Sequence, residues 1–301
     1  MRELKGKTAL VTGASRGIGL GLARALAERG MNLALAARSA DTLQTIKAEL
    51  ELKGVKVLCA PIDLADRSRL KSLVERVLQE FGSIELLINN AGLEQCAIYP
   101  DYPSAGVAQI IDVNLTAPML LTHMVLPQML AQGRGHIVNI ASVAGLVGVA
   151  YNETYAATKH AMVGFTRSLA ASAEGEGWPL GFSCILPSFV ADTEMYDDMK
   201  RQSGVGAPLI SGVSTLDKVV RETLKAVEHE RLEVVVSPSP FRLLAILLLL
   251  FPRATRWALR MTGSIGWFKA VAEGKRKAQP SAAHDLGAES RHAVGSRKRM
   301  P

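Results

Sequence analysis

The stretch "TALVTGASRGIG", residues 8–19, runs from an apolar, partly β-branched segment straight into a turn with glycines at the spacing G-x-x-x-G-x-G. A strand that is apolar almost throughout belongs in a parallel sheet covered on both faces. Gly13, Gly17 and Gly19 let the backbone turn tightly and bring the next helix N-terminus, with its free N–H groups and positive dipole end, against a pyrophosphate. The spacing is not the G-x-G-x-x-G of the general dinucleotide fingerprint. Whether the turn cradles a ligand or only connects two elements depends on what surrounds it.

Downstream, short apolar runs alternate with longer stretches of helical period. "TALVT" precedes a helix over 17–29, "NLALAA" one over 40–53, "VKVLCA" one over 66–81, "ELLIN" one over 104–132 and "HIVNIA" one over 152–174; "GFSCIL", a helix near 215–229 and "LEVVVS" follow. A repeated β-α pattern with right-handed crossovers predicts an α/β fold, a single doubly wound parallel sheet of Rossmann-like type with helices on both faces and a C-terminal helical appendage. The predicted organisation is a catalytic domain over 1–237, apolar and amphipathic helices over 238–272, and a basic structureless tail over 273–301.

At 301 residues, with 48% hydrophobic and 21% charged residues, the chain has the composition of a globular protein with a sizeable core. Its three cysteines, Cys59, Cys96 and Cys184, are far apart and lack C-x-x-C spacing, which suggests neither a disulfide framework nor a metal site. "MRELKGKTALVTG" has no apolar leader, so a cytoplasmic location is expected. The net charge of +7 lies in the last 50 residues, where eleven Lys and Arg face three acids; residues 1–251 hold 24 basic against 25 acidic residues. A near-neutral body without aromatic platforms or a recognition motif argues against nucleic-acid binding.

In doubly wound sheets ligands bind beyond the carboxyl ends of the strands, and the residues there are informative. After the second strand stand Ala37 and Arg38 instead of the acid that suits the ribose of NAD, and Arg16 inside the glycine turn adds a second cation; together they point to the 2′-phosphate of NADP(H) over NAD(H). Asp63 follows the third strand, placed to accept from an adenine amino group. After the fourth comes "NNAG", residues 89–92, whose Asn90 can pin neighbouring backbone. Tyr155 and Lys159 lie four apart in "YAATK" and so share one helix face, with Ser142 thirteen residues before the phenol.

Taken together, "TGASRGIG", "NNAG", Asn114 in "DVNL", Ser142, "YAATK" and "LPSFVADT" resemble the single-domain short-chain dehydrogenase/reductase family over roughly residues 5–236. The resemblance implies a catalytic set of Asn114, Ser142, Tyr155 and Lys159. It also implies nicotinamide-cofactor contacts at Gly13, Ser15, Arg16, Gly17, Ile18, Gly19, Arg38, Asp63, Leu64, Asn90, Ala91 and Gly92, with Tyr155 and Lys159 again, and at Pro187, Val190 and Thr193. Ser188 departs from the family's usual Pro-Gly. In this chemistry the Lys159 ammonium is expected to lower the Tyr155 pKa from near 10 and to bond the nicotinamide ribose. Ser142 is expected to donate to the carbonyl oxygen that gains charge, and Asn114 to hold a water linking Lys159 to solvent. Tyr151 is expected to line the pocket, and His160 to be structural.

The segments 92–102, 143–151 and 188–199 border the expected pocket and contribute Leu93, Ile98, Leu146, Val147, Val149, Phe189, Met195 and Met199, with no Arg or Lys. An apolar ketone or aldehyde, such as a long-chain acyl or steroid-like carbonyl, is the expected substrate. Leu243 to Phe251 are nine consecutive apolar residues, too few for a span of about 20. Arg253, Arg256 and Arg260 follow beside Trp257 and Met261, the make-up of a helix lying in a headgroup layer, so peripheral membrane contact through 241–272 is expected. The rival for this segment is a core or dimer helix. A homo-oligomer, dimer or tetramer, is the expected assembly. The rival function, a cofactor-binding or regulatory protein without turnover, has no use for the four catalytic groups together.

Overall fold

The computed structural model describes residues 3–208, 212–238, 250, 251, 257 and 259–278. Seven strands, β1 (Thr8–Thr12), β2 (Asn32–Ala37), β3 (Val57–Pro61), β4 (Leu86–Asn89), β5 (Gly135–Ile140), β6 (Leu180–Pro187) and β9 (Glu233–Val236), form one parallel sheet in the order β3-β2-β1-β4-β5-β6-β9. The chain leaves β1 for β2 on one side and returns from β3 to β4 on the other. The carboxyl ends of β1 and β4 therefore border the crevice where ligands of such sheets bind. Two short strands, β7 (Phe189–Val190) and β8 (Val213–Ser214), pair separately beside the end of β6.

Alternation along β1 divides the core. Ala9 and Val11 pack under α1 (Gly17–Glu28), α2 (Ala40–Glu51) and α8 (Leu216–Glu228), among Leu22, Leu26, Leu43 and Val227. Leu10 faces the other way, toward α3 (Leu70–Phe81) and α5 (Ala117–Ala131), among Leu70, Val74, Leu121 and Val125. Every residue of β1 is buried, as expected of a central strand with helices on both faces. The doubly wound architecture predicted from the apolar runs is the one observed.

The helix predicted over 104–132 is one run in three parts: α4 (Ser104–Ile111), a wider turn over Asp112–Thr116, and α5. In the wide turn the Ala117 N–H bonds the Asp112 carbonyl five residues back. Such insertions gather at functional sites, and this one carries Asn114. The run Ser104–Ala131 is also the one helix among the described residues apolar and long enough to cross a membrane, but Leu121, Val125 and Met129 are packed in the core. α6 (Glu153–Glu176) carries Tyr155 and Lys159, and α7 (Glu194–Ser203) follows β7.

The end of the chain differs from expectation. α9 (Ser264–Ala278) continues five residues past the predicted start of the tail at 273. Lys275 pairs with Glu94 and Arg276 with Asp101, while Gly274 lies so near α7 that a Cβ there would sit 2.6 Å from the Gln202 carbonyl. Trp267, Phe268, Val271 and Ala272 are buried against Cys96 and Met199, so α9 is packed onto the domain. Residues 279–301 and most of the apolar run 243–251 lie outside the described residues.

Candidate active site

At the β1 end the glycines have steric reasons. Gly13 has φ +64°, and a Cβ on it would lie 2.8 Å from the Ala91 Cα. On Gly19 a Cβ would lie 2.2 Å from the Gly13 carbonyl oxygen. Asn90 closes this contact by donating through Nδ2 to the carbonyls of Thr12 (2.9 Å) and Gly13 (3.2 Å), the pinning role expected of it. Unlike α2 and α8, α1 has no side chain capping its N-terminus. Its first N–H groups and dipole end face the groove, the arrangement that suits a pyrophosphate.

The groove continues into one cavity of about 710 Å³. It brings together Gly13, Ser15, Arg16, Gly17, Ile18, Arg38, Asp63, Leu64, Asn90, Ala91 and Gly92 at one end, and Ser142, Tyr155, Lys159, Pro187, Val190 and Thr193 farther along. Gly19 and Asn114 stand behind the wall. A dinucleotide fits this donor set: glycine backbone and an open helix end for phosphates, cations and a carboxylate beyond. Arg38 is exposed at the rim. Arg16, expected beside it at the 2′-phosphate, instead forms an ion pair with Glu194 across the groove, with both side chains about 60% exposed. Water and salt screen a pair so exposed, so little holds Arg16 in that position.

The candidate catalytic cluster is tightly built. Lys159 is buried, and its Nζ donates to the Ile140 carbonyl at 2.9 Å while standing 5.5 Å from the centre of the Tyr155 ring. Burial lowers the Lys159 pKa to about 8. Burial raises that of Tyr155 to about 12; the Ser142 hydroxyl opposes the rise and the charge of Glu94 adds to it. The expectation that Lys159 lowers the Tyr155 pKa is therefore corrected for the protein alone: the ammonium lies over the ring and is engaged by backbone, and desolvation of the phenol dominates. Ser142 lies two residues past the end of β5, where its Oγ accepts from the Ala144 N–H and reaches the Pro187 carbonyl at 3.4 Å.

The Asn114 side chain also has a structural part. Its Oδ1 accepts from the Leu93 N–H (2.7 Å), and its Nδ2 donates to the Leu93 carbonyl (2.8 Å) and to Thr158 (3.3 Å). The carboxamide thus clamps the loop after β4 against α6. Ser188 is buried, with its N–H on the Val236 carbonyl and its hydroxyl 3.2 Å from that of Ser214, so the departure from Pro-Gly ties this loop to β8 and β9. His160 is exposed and bonded to its own helix at the Ala156 carbonyl.

Of the predicted pocket residues, Leu93, Val147, Val149, Phe189, Met195 and Met199 line the cavity. Leu146 is buried beneath it, and Ile98 and Tyr151 pack instead in the Cys96–Trp267 cluster. The sequence reading missed the far wall, where α9 and its approach contribute Leu259, Ser264, Ile265, Phe268 and Lys275. Apolar residues at 265, 267/268 and 271/272 repeat with helical period, a signal that could have marked a packed helix. Lys275 also corrects the expectation of a pocket without Lys or Arg.

A family model described as short chain dehydrogenase matches residues 7–204. Ketoacyl reductase HetN of Nostoc sp. is 37% identical over 240 residues, covering 80% of this chain and 82% of that protein. The 3-oxoacyl-[acyl-carrier-protein] reductase FabG of Staphylococcus aureus is 34% identical over 207 residues, covering 67% of this chain and 83% of its own. Among solved structures, a metagenomic short-chain oxidoreductase in complex with NADP aligns with TM-score 0.66 at 28% identity, covering 79% of this chain and 99% of that one. A short-chain dehydrogenase/reductase from Burkholderia phymatum in complex with NAD aligns with TM-score 0.73 at 28% identity, covering 86% and 97%. The chain belongs to the short-chain dehydrogenase/reductase family. It is an oxidoreductase that interconverts CH–OH and carbonyl groups with a nicotinamide cofactor.

Proposed function

We propose that this protein is an NADPH-dependent reductase of an apolar carbonyl compound, with a β-oxoacyl derivative as the best-fitting class. The observation that carries the reading is one cavity in which Ser142, Tyr155 and Lys159 stand between a basic, glycine-lined groove and a far wall built from Phe189, Ile265 and Phe268. With its pKa raised to about 12, the Tyr155 phenol holds its proton at neutral pH, the state a reductase needs in the acid that protonates the carbonyl oxygen. Ser142 lies beside it, placed to donate to the same oxygen as charge builds there. Lys159 keeps its ammonium over the face of the Tyr155 ring, and Asn114 fixes the loop that shapes this end of the cavity. The bound nicotinamide supplies the hydride. Arg38, with Arg16 once released from Glu194, favours a 2′-phosphate on the cofactor. The printed names of the ketoacyl reductase relatives support the substrate class.

The test is oxidation of NADPH and NADH against ketones, aldehydes and 3-oxoacyl esters of graded chain length. Turnover is expected with NADPH, rising with chain length. Tyr155→Phe should lower it by roughly 10²–10⁴-fold while cofactor affinity stays nearly unchanged, and Arg38→Ala should weaken NADPH much more than NADH. Wild-type rates in the Tyr155 variant, or equal losses of both cofactors in the Arg38 variant, would remove the assignment concerned.

A second reading concerns location. Leu250, Phe251, Trp257 and Met261, four of the five described apolar residues in 250–263, are more than half exposed, whereas the fifth, Leu259, lines the cavity. That supports membrane-surface contact through this segment.

A further inference from the structure

Four carboxylates line the cavity: Asp63, Glu94, Glu194 and Asp198. Asp63 stands at the groove end, Glu194 pairs with Arg16 and Asp198 with Arg201. Glu94 is different. It lies at the substrate end with its side chain only 7% exposed, and its Oε2 accepts from Lys275 Nζ at 2.9 Å. Its other oxygen, Oε1, is shut off from solvent and has no hydrogen-bond partner. The adjacent Leu93 is held through both backbone polar groups by Asn114, so Glu94 is fixed from its own side. Lys275 comes from α9, 181 residues away, and remains 31% exposed at the cavity wall, within reach of a ligand.

We propose that the Glu94–Lys275 pair sets the charge class of the substrate, admitting carbonyl compounds that are uncharged beyond the reacting carbon, such as esters and thioesters, and turning away free carboxylates. This rests on the reductase reading above. Among the described residues lining this end of the cavity, the ammonium of Lys275 is the one cation besides Lys159, and Glu94 already engages it. An incoming carboxylate would have to displace a buried partner, leaving a second negative charge without compensation, which is strongly unfavourable. A neutral acyl group meets a wall of no net charge beside Phe268 and Ile265. Glu94 and Lys275 are thus specificity-determining residues, and α9 carries half of the device.

The experiment compares full-length wild type, Glu94→Gln and Lys275→Met on 3-oxodecanoate and its methyl ester, reading the ratio of kcat/KM values for ester over acid. Calorimetric binding of decanoate and 1-decanol gives a second readout that needs no turnover. Wild type should prefer the ester and the alcohol. Glu94→Gln frees the ammonium, and the ratio should fall by about tenfold or more with a matching gain in decanoate affinity. Lys275→Met leaves Glu94 uncompensated and should move both readouts the opposite way. Ratios and affinities within twofold of wild type in a folded Glu94→Gln protein, or in Lys275→Met if the first variant does not fold, would overturn the proposal. Absence of turnover on every carbonyl would instead fail the reductase reading, and decanoate binding would still decide this one.

Discussion

Lys159 is an ammonium at 5% exposure that donates to the Ile140 carbonyl. A pKa lowered from 10.5 to about 8 by burial means that holding the charge in the folded protein costs on the order of 3 kcal/mol. Between pH 8 and 10.5 the unfolded chain binds more protons here than the folded one, so the stability from this group rises with pH across that window; below about 8 the full cost remains. Tyr155 runs the other way, since a folded pKa of about 12 against 10 unfolded removes stability between pH 10 and 12. Lys159→Met should therefore raise the melting temperature of the cofactor-free protein near pH 7. Loss of the Ile140 bond offsets the gain by about 1 kcal/mol, leaving a rise of roughly 4–8 °C for a domain of this size. Its stability should no longer climb from pH 8 to 10, and turnover should be lost. Calorimetric scans at pH 7 and 9 would check this; a lower melting temperature at pH 7 would mean that the backbone bond outweighs the desolvation.

Elements that close local contacts were legible in the sequence, and elements that depend on distant partners were not. β1 and its glycine turn could be read from "TALVTGASRGIG" because burial on both faces and the Gly13–Gly19 contact are written within a dozen residues. The candidate catalytic residues Ser142, Tyr155 and Lys159 line one cavity, and the four-residue spacing on α6 puts Tyr155 and Lys159 side by side. The clamp on Leu93 was not foreseen, because it needs the wide turn at Asp112–Thr116. The residues of α9 are expected partly in apolar and amphipathic helices ending at 272 and partly in a structureless basic tail, while its seat is made by Cys96, 172 residues from the Phe268 carbonyl it bonds, and by the Phe189, Trp267 and Phe268 rings, whose centres are 4.9–6.2 Å apart. Close passage over α7 depends on Gly274 lacking a Cβ. Gly274→Val should force the helices apart and destabilise the protein by about 1–3 kcal/mol. Because α9 walls the cavity, KM for long-chain substrates should rise more than KM for short ones. Equal changes for both would show that α9 supports the fold without shaping the site.

At the scale of the whole molecule, α9 alters the meaning of the C-terminal segment. Removing everything after β9 would strip away Phe268, Ile265 and Lys275, so such a truncation would confound loss of membrane contact with damage to the active site. The apolar residues that remain outward, Leu250 at 65%, Phe251 at 59%, Trp257 at 66% and Met261 at 68% exposure, do not themselves line that wall. Burying such side chains in an acyl layer gains about 25 cal/mol per Å², and basic residues nearby are attracted to anionic headgroups in a salt-dependent way. The full-length protein should sediment with vesicles of mixed neutral and anionic phospholipid. Trp257→Ser with Met261→Ser should weaken that partition by about tenfold or more while leaving NADPH oxidation intact. High salt should remove only the electrostatic share, since the apolar contact is not screened. A reductase held this way would meet lipid-borne carbonyls at the surface where they concentrate. If wild type ignores the vesicles at low salt, the membrane reading fails; if the paired substitution instead changes the protein's mass in solution, the exposed residues belong to a subunit interface and the membrane reading fails as well.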